Sequence, residues 1–216
     1  MDVDGLGVVL RRDTLSASEA EALVAPFKAL DGAGVEACFA GSVADDLFRL
    51  VGDLARHDAA DVLGGGLSAD EVAALSCYLR CCKALAGAAG GLALVAASPR
   101  RVAAVAACLG GTDAGACTQA LELLAVLAVS GDAGYDAALG ALEDLAAARG
   151  DGAPLEAVVG LLGAGARGLA FRRDVMLFVN TLVNGAPSLE RRVAVRADLV
   201  AAGVLAATAA LRAGKG

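Results

Sequence analysis

Apolar residues in this chain recur three and four positions apart, in runs of about 8 to 18 residues, the spacing of a helix with one buried face. Short breaks of Gly, Asp or Pro separate the runs, and no segment alternates as a half-buried strand would. The pattern predicts helices over Ser18–Leu30, Val35–Phe39, Ala44–Arg56, Ala69–Ala86, Gly90–Ala97 and Pro99–Leu109. It continues with Ala114–Val129, Gly134–Arg149, Pro154–Leu162, Ala170–Val183, Ser188–Ala201 and Val204–Arg212. Capping chemistry supports several starts. Ser68 precedes Ala69-Asp70-Glu71 and places acids in a first turn, Ser98 precedes Pro99, and Ser188 is placed to cap the next-to-last helix. Gly203 separates the last two helices as a stop.

These helices group into related units at roughly 40-residue spacing, the period of stacked armadillo or HEAT-type repeats. Phe27-Lys28-Ala29-Leu30, Cys82-Lys83-Ala84-Leu85 and Phe178-Val179-Asn180-Thr181-Leu182 each close a long helix before a shorter segment. The expected organisation is an N-terminal segment over residues 1–17, one armadillo-like domain of about four repeats over 18–212, and a tail over 213–216. The fold class is all-α, a helical-repeat superhelix or solenoid with a long groove.

Composition sharpens this picture. Apolar residues make up 57% of the 216 and aromatics only 3%, so Ala, Leu and Val must fill the core and let helices approach closely. The longest apolar candidate for a membrane span, Gly87 to Ser98, falls short of the roughly 18 residues needed, so no span is expected. The opening Met1-Asp2-Val3-Asp4 is acidic and unlike a secretory signal, which makes a cytoplasmic location the expectation. A net charge of −7 excludes a general nucleic-acid binder, whose partner demands a basic face, and leaves room for a basic peptide.

Candidate chemistry is sparse. Cys38, Cys77, Cys81, Cys82, Cys108 and Cys117 all lie in or beside apolar helical stretches. Cys77 and Cys81 are one turn apart, but the only histidine is His57, so buried thiols are expected rather than a zinc site. His57 itself sits between Arg56 and Asp58 at a helix end, where a solvated cation suits the dipole better than a catalytic role. Gly64-Gly65-Gly66 and Gly163-Ala164-Gly165-Ala166-Arg167-Gly168 follow no strand and lack the Gly-Lys-Ser/Thr ending of a phosphate loop. Arg191-Arg192 with Arg196, beside Asp198, and Arg172-Arg173-Asp174 read as solvated, salt-bridged helix faces. Neither an enzyme activity nor a cofactor is expected.

Several segments, in order, resemble one known family. Phe178-Val179-Asn180-Thr181-Leu182-Val183-Asn184, then Ser188-Leu189-Glu190-Arg191-Arg192-Val193-Ala194-Val195-Arg196-Ala197-Asp198-Leu199, then Ala202-Gly203-Val204, resemble the last armadillo repeat of the regulatory region of formins. That region is the formin homology three, or diaphanous inhibitory, domain. Leu79-Arg80-Cys81-Cys82-Lys83-Ala84-Leu85 is similar to its Cys-Leu-Lys-Ala helix, and Gly91-Leu92-Ala93-Leu94-Val95 to the segment after it. Leu123-Leu124-Ala125-Val126-Leu127-Ala128-Val129 is similar to the helix of the following repeat. Val35-Glu36-Ala37-Cys38-Phe39 and Leu47-Phe48-Arg49-Leu50 fit the first repeat, so the resemblance spans about Val24 to Leu211.

The resemblance implies a binding function. In diaphanous-related formins the domain holds a C-terminal amphipathic autoregulatory helix, and a Rho-family GTPase carrying GTP releases it. A basic amphipathic helix would bury its apolar stripe in the groove and set its charges at an acidic rim. The implied groove residues are Val126, Val129 and Asn180, with Leu177 as a neighbour. From the residues alone, Val126 and Val129 fit a helix core equally well. The Asn180 amide would meet either a neighbouring helix's backbone or a bound peptide. The turn implied to face the GTPase falls on Gly87 and Ala88, where Ala86-Gly87-Ala88 replaces the family's Met-Asn. Actin would be reached only indirectly, since these residues include no formin actin-assembly region and only 4 prolines. The expected role is control of actin-cytoskeleton organisation by a cytoplasmic, cytoskeleton-associated protein. The alternative is a generic armadillo-type scaffold for an unrelated peptide or protein.

Overall fold

Side-chain caps fix where several helices of this protein begin. A computed structural model describes residues 2–12, 15–60, 66–163 and 167–214; Gly64 and Gly65, and residues 164–166 of the second glycine-rich stretch, lie outside the described residues. Among those described there are helices and one 3-10 turn but no strand, so the chain is all-α. It divides into two compact units, Met1–Ala120 and Leu121–Gly216.

The first unit holds α1 (Val3–Leu10), α2 (Ala17–Lys28), α3 (Gly32–Ala40), α4 (Val43–Ala60), α5 (Ala69–Gly87), α6 (Gly91–Ala96) and α7 (Pro99–Ala107). A 3-10 turn, Cys108–Gly110, follows α7 and leads to α8 (Ala114–Ala128), which continues into the second unit. Ser16 and Ser68 open α2 and α5 with full capping boxes: each hydroxyl accepts from the N3 backbone, while Glu19 or Glu71 accepts from the cap's own N–H. These two helices form the most extensive pairing in the unit, and α4 packs on α5 and α7. Leu23 and Phe27 of α2, Leu47, Phe48 and Val51 of α4, and Leu79, Cys82 and Leu85 of α5 are buried. Small residues between the large ones let the axes approach closely.

Residues 1–17, read from the sequence as a segment preceding the helices, contain α1. Its Asp2 side chain accepts from the Gly5 N–H at 2.9 Å, and Leu6 and Leu10 are fully buried where α1 packs on α4. Two glycines in eight residues lower its intrinsic helix preference, so tertiary packing decides the outcome. Asp31 starts α3 three residues earlier than the pattern suggests, accepting from Gly34 N at 2.8 Å. Ser98 stands at the N-cap position of α7, but its hydroxyl makes no capping bond. The α5–α6 turn requires glycine at two adjacent places. Gly90 has φ of 77°, and a Cβ on Gly91 would lie 1.8 Å from the Leu85 carbonyl oxygen.

The second unit continues with α9 (Asp132–Arg149), α10 (Glu156–Gly163), α11 (Leu169–Asn184), α12 (Leu189–Ala201) and α13 (Val204–Arg212). Helix α10 packs against α11 and α13, and α12 joins α11 to α13. Phe171, Val175, Phe178 and Leu182 recur at helical spacing on α11 and are all buried, each contributing on the order of 2 kcal/mol by leaving water. The Tyr135 hydroxyl donates to the Leu182 carbonyl at 2.9 Å in the interior, tying α9 to the end of α11. The Ser188 hydroxyl accepts from Arg191 N at 3.2 Å and caps α12, as its position predicts. Gly203, with φ of 89°, makes the break before α13.

Candidate docking face

Helix α11 carries apolar residues on two sides. Its buried stripe leaves Leu169, Leu177 and Asn180 facing solvent, with Arg173 on the same side at helical spacing. Val126 lies in the last turn of α8, and Val129 directly follows that helix. Both are exposed, at 49% and 64%, and Leu177 at 63%. The core alternative for the two valines is therefore excluded. Asn180 is exposed too, so water can satisfy its amide and neither a helix backbone nor a bound peptide is required.

The ends of α8 and α11 meet. A Cβ built on Gly185 would stand 3.0 Å from the Ala128 carbonyl oxygen, so only glycine fits there without a shift. This closeness places Val129 beside the C-terminal turn of α11, where Asn180 precedes the end by one turn and Leu177 by about two. The four residues belong to the second unit, whereas Gly87 and Ala88 belong to the first. Gly87 is exposed with open space around it, and Ala88, half-buried, ends α5.

Further exposed apolar residues were not singled out by the sequence pattern. Leu189, Val193 and Val200 recur at helical spacing on α12, opposite the buried Val195 and Leu199, and Leu205 is exposed on α13. The spacing was visible, but a helix with apolar residues on two sides does not reveal which side is covered. Among the described residues, every large exposed apolar residue except Val8 lies in the second unit. One or two are unremarkable on any surface; recurring stripes on consecutive helices mark a surface suited to a partner.

Charge around these stripes is mixed, with Glu122 one turn ahead of Val126 on α8 and Asp174, Glu190 and Asp198 on α11 and α12. Arg172, Arg173, Arg191, Arg192 and Arg196 lie on α11 and α12. Arg191 pairs with Asp136 of α9 at 2.7 Å, rather than with the neighbouring Asp198, and Arg173 pairs with Asp174 at 2.8 Å. The Nε atoms of Arg172 and Arg192 are buried without a hydrogen-bond partner.

The remaining candidates carry little chemistry. His57 is exposed in the last turn of α4, with Nδ1 3.8 Å from Glu71 Oε1, which suits a solvated helix-end imidazole. All six cysteines are buried. Burial pushes the Cys77 thiol up to about 11 and those of Cys81 and Cys108 to about 12, holding them neutral and unreactive. No described group of three or more His, Cys, Asp or Glu side chains is placed to hold a metal. Compared with known protein families and with curated proteins, the sequence finds no match.

Proposed function

We propose that this chain is a regulatory protein-binding domain of the formin type, with an armadillo-like arrangement of its helices and a docking surface on α8 and α11. The observation that carries the proposal is the exposure of Val126, Val129 and Leu177 in and just beyond helices that bury a separate apolar stripe. An amphipathic partner helix would cover these residues with its apolar stripe, gaining about 25 cal/mol for each Å² removed from water before the costs of association. In this reading a Rho-family GTPase in its GTP form releases the helix, engaging the turn at Gly87 and Ala88, and actin organisation is the downstream output.

A second reading, the generic helical scaffold, is favoured by the arginines of α11 and α12. Guanidinium groups beside an apolar stripe suit a partner helix flanked by Asp and Glu, the opposite of a basic autoregulatory helix. Titrating the protein with two labelled amphipathic peptides of equal length and apolar face, one lysine-flanked and one glutamate-flanked, separates the two. Preference for the lysine peptide, with GTP-dependent capture of a Rho-family protein, supports the formin-type reading. Preference for the glutamate peptide with nucleotide-independent or no GTPase binding removes it.

A further inference from the structure

The first unit holds a cavity of about 610 Å³ in the wedge between α4 and the start of α7. The two helices close on each other at Gly52, where a Cβ would stand 3.2 Å from the Ala104 methyl and 3.1 Å from Arg56 Nη1. Four guanidinium groups line the space: Arg49 and Arg56 from α4, Arg100 and Arg101 from α7. The buried ring of Phe48 also contributes to the lining.

Three of the four arginines are held in place. Arg101 Nε donates to Asp45 Oδ1 and its Nη1 to the Leu94 carbonyl, both at 2.8 Å, while its guanidinium lies 4.8 Å over the Phe39 ring. Asp53 grips the other two, accepting from Arg49 Nη1 at 3.2 Å and from Arg56 Nη2 at 2.7 Å. Arg49 Nε is also 3.9 Å from Asp46 Oδ1. Arg100 has no ion-pair partner among the described residues. The carboxylates of Asp45, Asp46 and Asp53 are fewer than the guanidinium groups, so the site keeps positive charge in a chain whose net charge is −7.

From this cavity we infer that the first unit binds a phosphate group, as free phosphate or as the headgroup of a phosphomonoester lipid. Guanidinium forks match phosphate oxygens two at a time, and side chains already fixed by carboxylates lose little freedom when the anion arrives. The uncapped start of α7, with Ser98 beside Arg100, places a helix N-terminus at the same cavity and adds a favourable dipole. The volume is that of a small-ligand site and admits either a free phosphate or a lipid headgroup. This binding is independent of the docking surface on α8 and α11.

The test titrates the full chain with inorganic phosphate at constant ionic strength, following backbone amide shifts at Arg100 and Arg101. Saturable shifts there, weakened roughly tenfold by Arg100→Ala and by Arg56→Ala but unchanged by Arg173→Ala, are the expected result. Arg100→Ala removes no contact that holds the fold, so its circular dichroism and melting should match the parent protein. A parallel arm measures flotation with phosphatidylcholine vesicles containing phosphatidic acid. Phosphate saturation without vesicle capture identifies a soluble ligand, and vesicle capture lost in Arg100→Ala identifies the lipid headgroup. Absence of both, or binding that survives both cavity variants, overturns the proposal.

Discussion

Asp58 is the one buried charged side chain among the described residues, and it ties the end of α4 to the turn ahead of α8. Its carboxylate accepts from the Thr112 N–H at 2.7 Å and from the Thr112 hydroxyl at 2.8 Å. Asp58→Ala should therefore destabilise the protein by about 1–2 kcal/mol in urea unfolding, because two hydrogen bonds to a charged acceptor are lost. Val126→Asp should behave in the opposite way. At an exposed position it should change stability by no more than about 0.5 kcal/mol while eliminating capture of either amphipathic peptide; a matching loss of helicity would show a structural role instead. Both residues were only partly legible in the sequence. Val126 and Val129 fit a core or a surface equally well, because their spacing fixes a face and not what covers it. Asp58 was visible only as a neighbour of His57, since its partner lies 54 positions away and no local pattern links them.

For the helices, legibility followed capping chemistry. Ser68 with Glu71 marks the start of α5 in sequence and in structure alike. The equivalent pair at α2, Ser16 with Glu19, has the same geometry and starts that helix at Ala17, one residue ahead of the Ser18 start that the apolar period predicts. Ser68→Ala should cost about 1 kcal/mol in thermal or denaturant unfolding. The same contacts create an acid dependence. Hydrogen bonds from the Ser68 hydroxyl and backbone hold the Glu71 carboxyl below its ordinary 4.5, and those from the Ser16 backbone and hydroxyl do the same for Glu19. Because the folded value is the lower one, their stabilisation is present above pH 4.5 and is lost as pH falls through the folded value. A Ser68→Ala variant should lose less stability than the parent over that acidic window. Helix α1 is not legible from the apolar period: it is short and glycine-bearing, and its burial against α4 has no local sequence signature.

Across the whole molecule, a core built from Ala, Leu and Val with few rings was legible from composition, as was the burial of the six cysteines. The division into two compact units was not, because helical period and composition run unchanged through α8. The buried thiols give the molecule an alkaline limit. With folded values of about 11 for Cys77 and about 12 for Cys81 and Cys108, against 9.0 ordinarily, the unfolded chain loses these protons first. The thiols' contribution to stability should be level below about pH 9 and decline from there towards pH 12. Native thiols should likewise resist alkylation at pH 8 and react once urea unfolds the chain. The same scarcity of rings makes the protein unusually simple to watch. It has no tryptophan and two tyrosines, the buried Tyr78 in the first unit and the buried Tyr135 in the second. Each unit therefore carries its own intrinsic fluorophore. Replacing one tyrosine with phenylalanine leaves emission from the other unit alone, so a pair of single variants can report whether the two halves melt in one step or in sequence.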